Sequence, residues 1–171
     1  MSDAPAATRG FTLIELMVTM AVAAVLITVA VPNFRMFMVN NRLASQANDL
    51  ITALSVARSE AVKRGGNVTV CASSDGATCT GTWAQGWTVR DAGGVIQVQR
   101  GLSGSSTLSG GADVASTLTY TPNGRTTIPA SATAATTTLT LCPPSPAIVD
   151  GRAIQVERTG RARVSTITTC P

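Results

Sequence analysis

A polar ten-residue stretch, MSDAPAATRG, precedes an apolar run, FTLIELMVTMAVAAVLITVAVPNF, at residues 11–34. From Leu16 to Phe34 no charge occurs over 19 residues, enough for a helix to cross a hydrocarbon core of roughly 30 Å. A secretory signal has a shorter apolar core and a small-residue cleavage site behind it. Here the run is long and no such site follows, so it is expected to stay in the mature chain. Pro32 lies within the helical pattern and is expected to kink it. The pattern then resumes as one apolar stripe: Leu43, Ala47, Leu50, Leu54, Ala57 and Ala61 recur at steps of three and four. Arg42, Asn48, Asp49, Arg58 and Glu60 fall largely off that stripe, and Gly65-Gly66 ends the helix.

From Asn67 onward the period shortens to that of strands. Strands are predicted at 68–72, 86–91, 95–100, 116–121, 137–142, 152–158 and 163–168. Asp91-Ala92-Gly93-Gly94 and Thr159-Gly160 read as hairpin turns. Residues 103–117 and 126–138 are rich in Ser, Thr, Gly and Ala and read as loops or loosely packed edge strands. The fold class is α+β: a long N-terminal helix whose second half packs on antiparallel β-sheet. The segments are 1–10 as a leader, 11–34 as the membrane half of the helix, 35–65 as its amphipathic half, and 66–171 as a globular β domain.

Composition narrows the chemistry. The chain has no histidine, which removes Ser-His-Asp and Cys-His catalysis and the commonest transition-metal ligand. No glycine precedes Lys63 in P-loop register. The nine acids are scattered, and Lys63, beside Arg64 at the end of an ordinary helix, makes a poor partner for a serine. The chain reads as a non-enzyme without cofactor or metal. Of its 13 basic residues all but Lys63 are arginine, the side chain suited to bidentate phosphate contacts.

Gly10-Phe11-Thr12-Leu13-Ile14-Glu15-Leu16, followed by an apolar helix, resembles the class III signal of type IV pilins and pseudopilins. The resemblance implies that a prepilin peptidase cuts between Gly10 and Phe11 and N-methylates Phe11. Glu15 is costly in lipid. It either reaches the interface near the membrane end or pairs with a cation. By the resemblance that cation is a Phe11 amine met during filament assembly. Further along, Ala57–Arg64 leads into Val68-Thr69-Val70-Cys71, then Trp83-Ala84-Gln85-Gly86-Trp87, then Asn123-Gly124-Arg125. This succession resembles the GspH/FimT family of minor pilins and pseudopilins. It implies a type IV pilin-like fold, anchored by one span in the inner membrane of a Gram-negative bacterium. The globular part would face the periplasm or join a pilus at the cell surface, with other pilin subunits as partners.

Four cysteines allow three pairings. Proximity favours Cys71–Cys79 and, with it, Cys142–Cys170, in keeping with an oxidising compartment. A four-cysteine zinc site competes, although no CxxC pair exists.

The candidate binding site lies at 152–164. Arg161 and Arg163, two apart, share a side in an extended segment, and Arg158 stands across the Thr159-Gly160 turn. Glu157 is read as alternating to the other face. Such a cluster suits phosphate oxygens. It equally suits solubility or salt bridges within a filament. Gly160-Arg161-Ala162-Arg163 resembles the GRxR DNA-binding motif of the FimT branch, linked to natural transformation. That resemblance implies a minor pilin that binds DNA at Arg161, Arg163, Gly160 and Arg158. Aromatic side chains are scarce and Trp83 and Trp87 read as core, so phosphate contacts to duplex DNA, independent of sequence, are expected. The alternative is a purely structural minor pilin or pseudopilin, of GspH or FimU type, serving pilus priming or type II secretion. Arg125, and Arg64 with Lys63, add charge whose distance from the hairpin stays open.

Overall fold

The computed structural model describes residues 10–128 and 136–170. Residues 1–9, most of the expected leader, and 129–135, within the second Ser/Thr/Ala-rich stretch, lie outside the described residues.

One helix, α1 (Leu13–Arg64), runs 52 residues and continues through Pro32. The Thr12 hydroxyl accepts from the Glu15 N–H at 3.3 Å, capping one of the orphan donors of the first turn. The chain divides into two compact units, 1–38 and 39–171. In the first, the apolar side chains from Phe11 to Met38 are exposed, Phe11 at 86%, as a segment whose solvent is lipid or neighbouring helices would require. The N-terminal apolar helix makes the chain single-pass and membrane-anchored, with a globular domain behind it.

In the second unit the stripe read from spacing is buried. Leu43, Ala47, Leu50, Leu54, Ala57 and Ala61 are at most 1% exposed, joined by Ala53. Alanine at four of these seven positions lets the helix approach the sheets closely.

Eight strands follow: β1 (Val68–Ala72), β2 (Gly86–Asp91), β3 (Gly94–Arg100), β4 (Thr107–Gly110), β5 (Thr117–Tyr120), β6 (Thr136–Cys142), β7 (Gly151–Glu157) and β8 (Ala162–Ile167). They form two four-stranded sheets, ordered β3-β2-β1-β5 and β4-β6-β7-β8, and every pairing is antiparallel. Val68, Val70, Val89, Leu118, Leu139, Leu141, Ile154 and Val156 point inward with the helix stripe. Trp83 and Trp87 are core residues, each at most 2% exposed. Trp83 donates its indole N–H to the Val114 carbonyl at 3.2 Å.

Strand β4 lies in the 103–117 stretch. Its sequence, TLSG, carries only Leu108 as an apolar residue, and it is held as an edge by backbone pairing to β6. At the other end of α1, Arg64 bonds both Glu60 (2.5 Å) and Asp91 (2.8 Å), tying the helix to the β2–β3 turn. The Asp91 carboxyl also accepts from the Gly93 and Gly94 N–H groups. These bonds, the Gly93 one first, hold its pKa below the usual range. Disulfides join Cys71 to Cys79 and Cys142 to Cys170. The second links the chain just after β8 to the end of β6.

Candidate nucleic-acid interface

The β7–β8 hairpin turns through Arg158-Thr159-Gly160. The Gly160 N–H donates to the Glu157 carbonyl at 2.8 Å, and the Glu157 N–H to the Arg161 carbonyl at 2.8 Å. The turn is therefore a three-residue loop whose last residue, Gly160, has φ +83°, a conformation glycine adopts without penalty. A second reason for glycine is contact. A Cβ at Gly160 would stand 2.0 Å from the Gly124 carbonyl oxygen.

That contact brings the Asn123-Gly124-Arg125 turn onto the hairpin. Thr126 reinforces it: its N–H donates to the Arg158 carbonyl (3.1 Å) and its hydroxyl to the Glu157 carbonyl (3.0 Å). Arg58, on α1, donates from Nη2 to the Thr159 carbonyl at 3.2 Å. Three segments distant in sequence thus meet: the C-terminal part of α1, the 123–125 turn and the GRxR hairpin. Sequence reasoning found the hairpin but missed Arg58 and left Arg125 unplaced. The two turn glycines were visible, but nothing in the sequence says that they stack.

Between α1 and the hairpin runs an open groove of about 580 Å³. Arg58, Lys63 and Arg161 line it, with Leu54, Val62, Tyr120 and Ala162 as apolar surface, and no carboxylate lines it. Tyr120 is fully buried, and its hydroxyl lies 3.5 Å from the Gly160 carbonyl. Burial pushes its pKa up to about 12, with the Arg58 charge pulling the other way.

The arginines expected at the site have different surroundings. Arg161 is exposed, and among the described residues its guanidinium has no ion-pair or hydrogen-bond partner. Arg163 is exposed but ion-paired, its Nη2 2.5 Å from Glu157 Oε1. This corrects the reading of Glu157 as facing away. The antiparallel register sets Gln155 opposite Arg163, so Glu157, two residues along from Gln155, is its diagonal neighbour on the same face. Glu157 also accepts from the Thr159 hydroxyl at 3.1 Å. Arg158 is half-buried, and its Nε is enclosed without a hydrogen-bond partner. Lys63 lies 3.7 Å from Glu60 with its side chain 77% exposed. Arg64, bound by two carboxylates, is not available to a ligand. Among the described residues no cluster of three or more His, Cys, Asp or Glu side chains is arranged to hold a metal.

Two family models match the chain. "Type II transport protein GspH" covers residues 46–160, and "Prokaryotic N-terminal methylation motif" covers 6–31. No curated protein matches it. Among solved structures, the fold is similar to the type IV minor pilin FimU of Pseudomonas aeruginosa. That likeness has 24% identity over 79% of this chain and 96% of that one, at a TM-score of 0.59. It is also similar to the minor pseudopilin EpsH of the Vibrio cholerae type 2 secretion system. There the identity is 16% over 73% and 97% of the two chains, at a TM-score of 0.51. At these identities the likeness is one of fold: a long N-terminal helix packed on two antiparallel sheets.

Proposed function

We propose a function from one premise: the chain belongs to the GspH family. On that premise it is a minor pilin that binds DNA at the β7–β8 hairpin, through phosphates and without regard to sequence, for DNA uptake in natural transformation. The observation that carries this reading is Arg161. It is exposed and without a partner among the described residues, on a loop held by the Gly124–Gly160 contact, beside Arg58 and Lys63 on a groove with no carboxylate. Arg161 and Arg58 face that groove with no carboxylate against them, and Lys63, 3.7 Å from Glu60, adds an exposed ammonium; such a row attracts a polyanion, and guanidinium groups match phosphate oxygens. Arg158 and Arg125 add positive potential from the same turn region.

The rest of the reading follows the methylation motif. Prepilin peptidase cuts between Gly10 and Phe11 and methylates Phe11. Glu15 meets a Phe11 amine during assembly with other pilin subunits. The anchor lies in the inner membrane, and the globular domain works in the periplasm or on a pilus.

One observation favours a second reading, a purely structural minor pilin or pseudopilin. Glu157 already neutralises Arg163, so half of the GRxR pair serves the fold. The two readings part on a titration of the full chain in neutral detergent against a labelled duplex at two salt concentrations. With about three phosphates neutralised, log K falls against log salt with a slope near −3, and Arg161→Ala/Arg163→Ala removes the binding. A wild-type chain that binds no DNA at low salt leaves the structural reading.

A further inference from the structure

A duplex reads as a convex rod of phosphates, and a patch of arginines suffices to hold it. The groove beside the hairpin has more than that. It is concave, its volume of about 580 Å³ lies within the range of small-molecule sites, roughly 300–1,000 Å³, and Val62 and Ala162 give it an aliphatic patch. Val62 is 55% exposed there, at a helical position where an apolar β-branched residue gains nothing from burial and lowers helix propensity slightly. Tyr120, fully buried beneath, closes the floor. Ser55 and Ser59, also on the wall, spend their hydroxyl protons on the Ile51 and Val56 carbonyls, which leaves oxygen lone pairs as acceptors. Cations at the rim, acceptors on one wall and aliphatic surface between them match one unit of a nucleic-acid strand: an anionic phosphate, a base edge that carries N–H donors in all four bases, and an apolar base face.

We propose that this groove receives an unpaired nucleotide, with the phosphate on Arg58, Lys63 and Arg161 and the base against Val62 and Ala162. The proposal rests on the DNA-binding reading and sharpens it: the chain prefers strand ends and single-stranded tails to closed duplex. Duplex bases are stacked and paired and cannot enter, whereas unpaired bases are free to lie on protein surface. Recognition is indifferent to base identity, since every base has an apolar face.

The test uses the full chain in neutral detergent and three labelled DNAs of equal phosphate count. These are a blunt duplex, a duplex with a single-stranded tail, and the same tailed duplex with abasic residues in the tail. The tailed duplex is expected to bind about fivefold tighter than the blunt one, the effect of burying roughly 40 Å² of apolar surface. The abasic tail is expected to lose that gain. Val62→Gln, at an exposed helical site that glutamine suits, is expected to abolish the gain and leave blunt-duplex binding unchanged. Arg161→Ala is expected to weaken all three. Equal affinity for blunt and tailed DNA overturns the proposal, as does a gain that survives in the abasic tail or in Val62→Gln. In those cases salt-sensitive, Arg161-dependent binding still stands, whereas absence of binding to any of the three removes the DNA reading as well.

Discussion

Replacing Glu157 by glutamine is expected to strengthen DNA binding, an outcome that damage to the fold does not mimic. In the native chain Glu157 Oε1 lies 2.5 Å from Arg163 Nη2, with the two side chains 25% and 52% exposed. Pairs this exposed are worth roughly 0.2–1 kcal/mol, which a phosphate must overcome before Arg163 turns to it. Glutamine removes that competition and one negative charge facing the ligand. It keeps an amide oxygen to accept from the Thr159 hydroxyl, now bonded to Glu157 Oε2 at 3.1 Å. The gain in affinity is up to about fivefold at low salt. One more neutralised phosphate steepens the salt slope by about 0.9. Fluorescence anisotropy with a labelled duplex at about 50 and about 200 mM salt reads both quantities. Unchanged or weaker binding, in a variant with native near-ultraviolet circular dichroism, refutes a role for Arg163 in phosphate contact.

Three further outcomes test the frame around the site. Gly160→Ala places a Cβ 2.0 Å from the Gly124 carbonyl oxygen at φ +83°. It is expected to cost about 3 kcal/mol and lower Tm by roughly 10 °C, with DNA affinity falling alongside; a thermal melt checks the first part. Tyr120 is the single tyrosine, so its phenolate absorbance is unambiguous and is expected to titrate near 12 rather than 10. The folded chain keeps this proton where the unfolded chain has lost it. The associated stability, roughly 2–3 kcal/mol, is whole below pH 10 and disappears as pH rises through 12; denaturant melts at stepped pH measure it. Replacing both Cys142 and Cys170 by serine opens a link between residues 28 apart and is expected to cost roughly 3–4 kcal/mol, read from denaturant unfolding.

Much of the fold is legible because burial imposes a period. Leu43 through Ala61 recur at helical spacing and are the buried face, and Val68-Thr69-Val70 alternates as β1 does. Strand β4 is less legible because one leucine among Thr, Ser and Gly carries no alternation; backbone pairing to β6 makes it a strand. The hairpin arginines are legible as charge and spacing, but their partners are not. Which face Glu157 shares with Arg163 depends on the register of β7 against β8. The meeting of Arg58, Gly124 and Gly160 is a tertiary contact between residues as much as 102 apart in number, and no local pattern encodes it. The groove is invisible in the sequence for the same reason.

In the proposed complex DNA phosphates meet Arg161 beside Arg58. The most direct measurement is the side-chain Nε–H spectrum of the arginines in the isotopically labelled full chain, in detergent, as a short duplex is added. The Arg161 and Arg58 resonances are expected to shift together and to return as salt is raised. Arg100, which lines a separate pocket with Arg42, is expected to stay in place. Shifts confined to Arg100 and Arg42, or spread evenly over all arginines, rule out phosphate contact at Arg161 and Arg58.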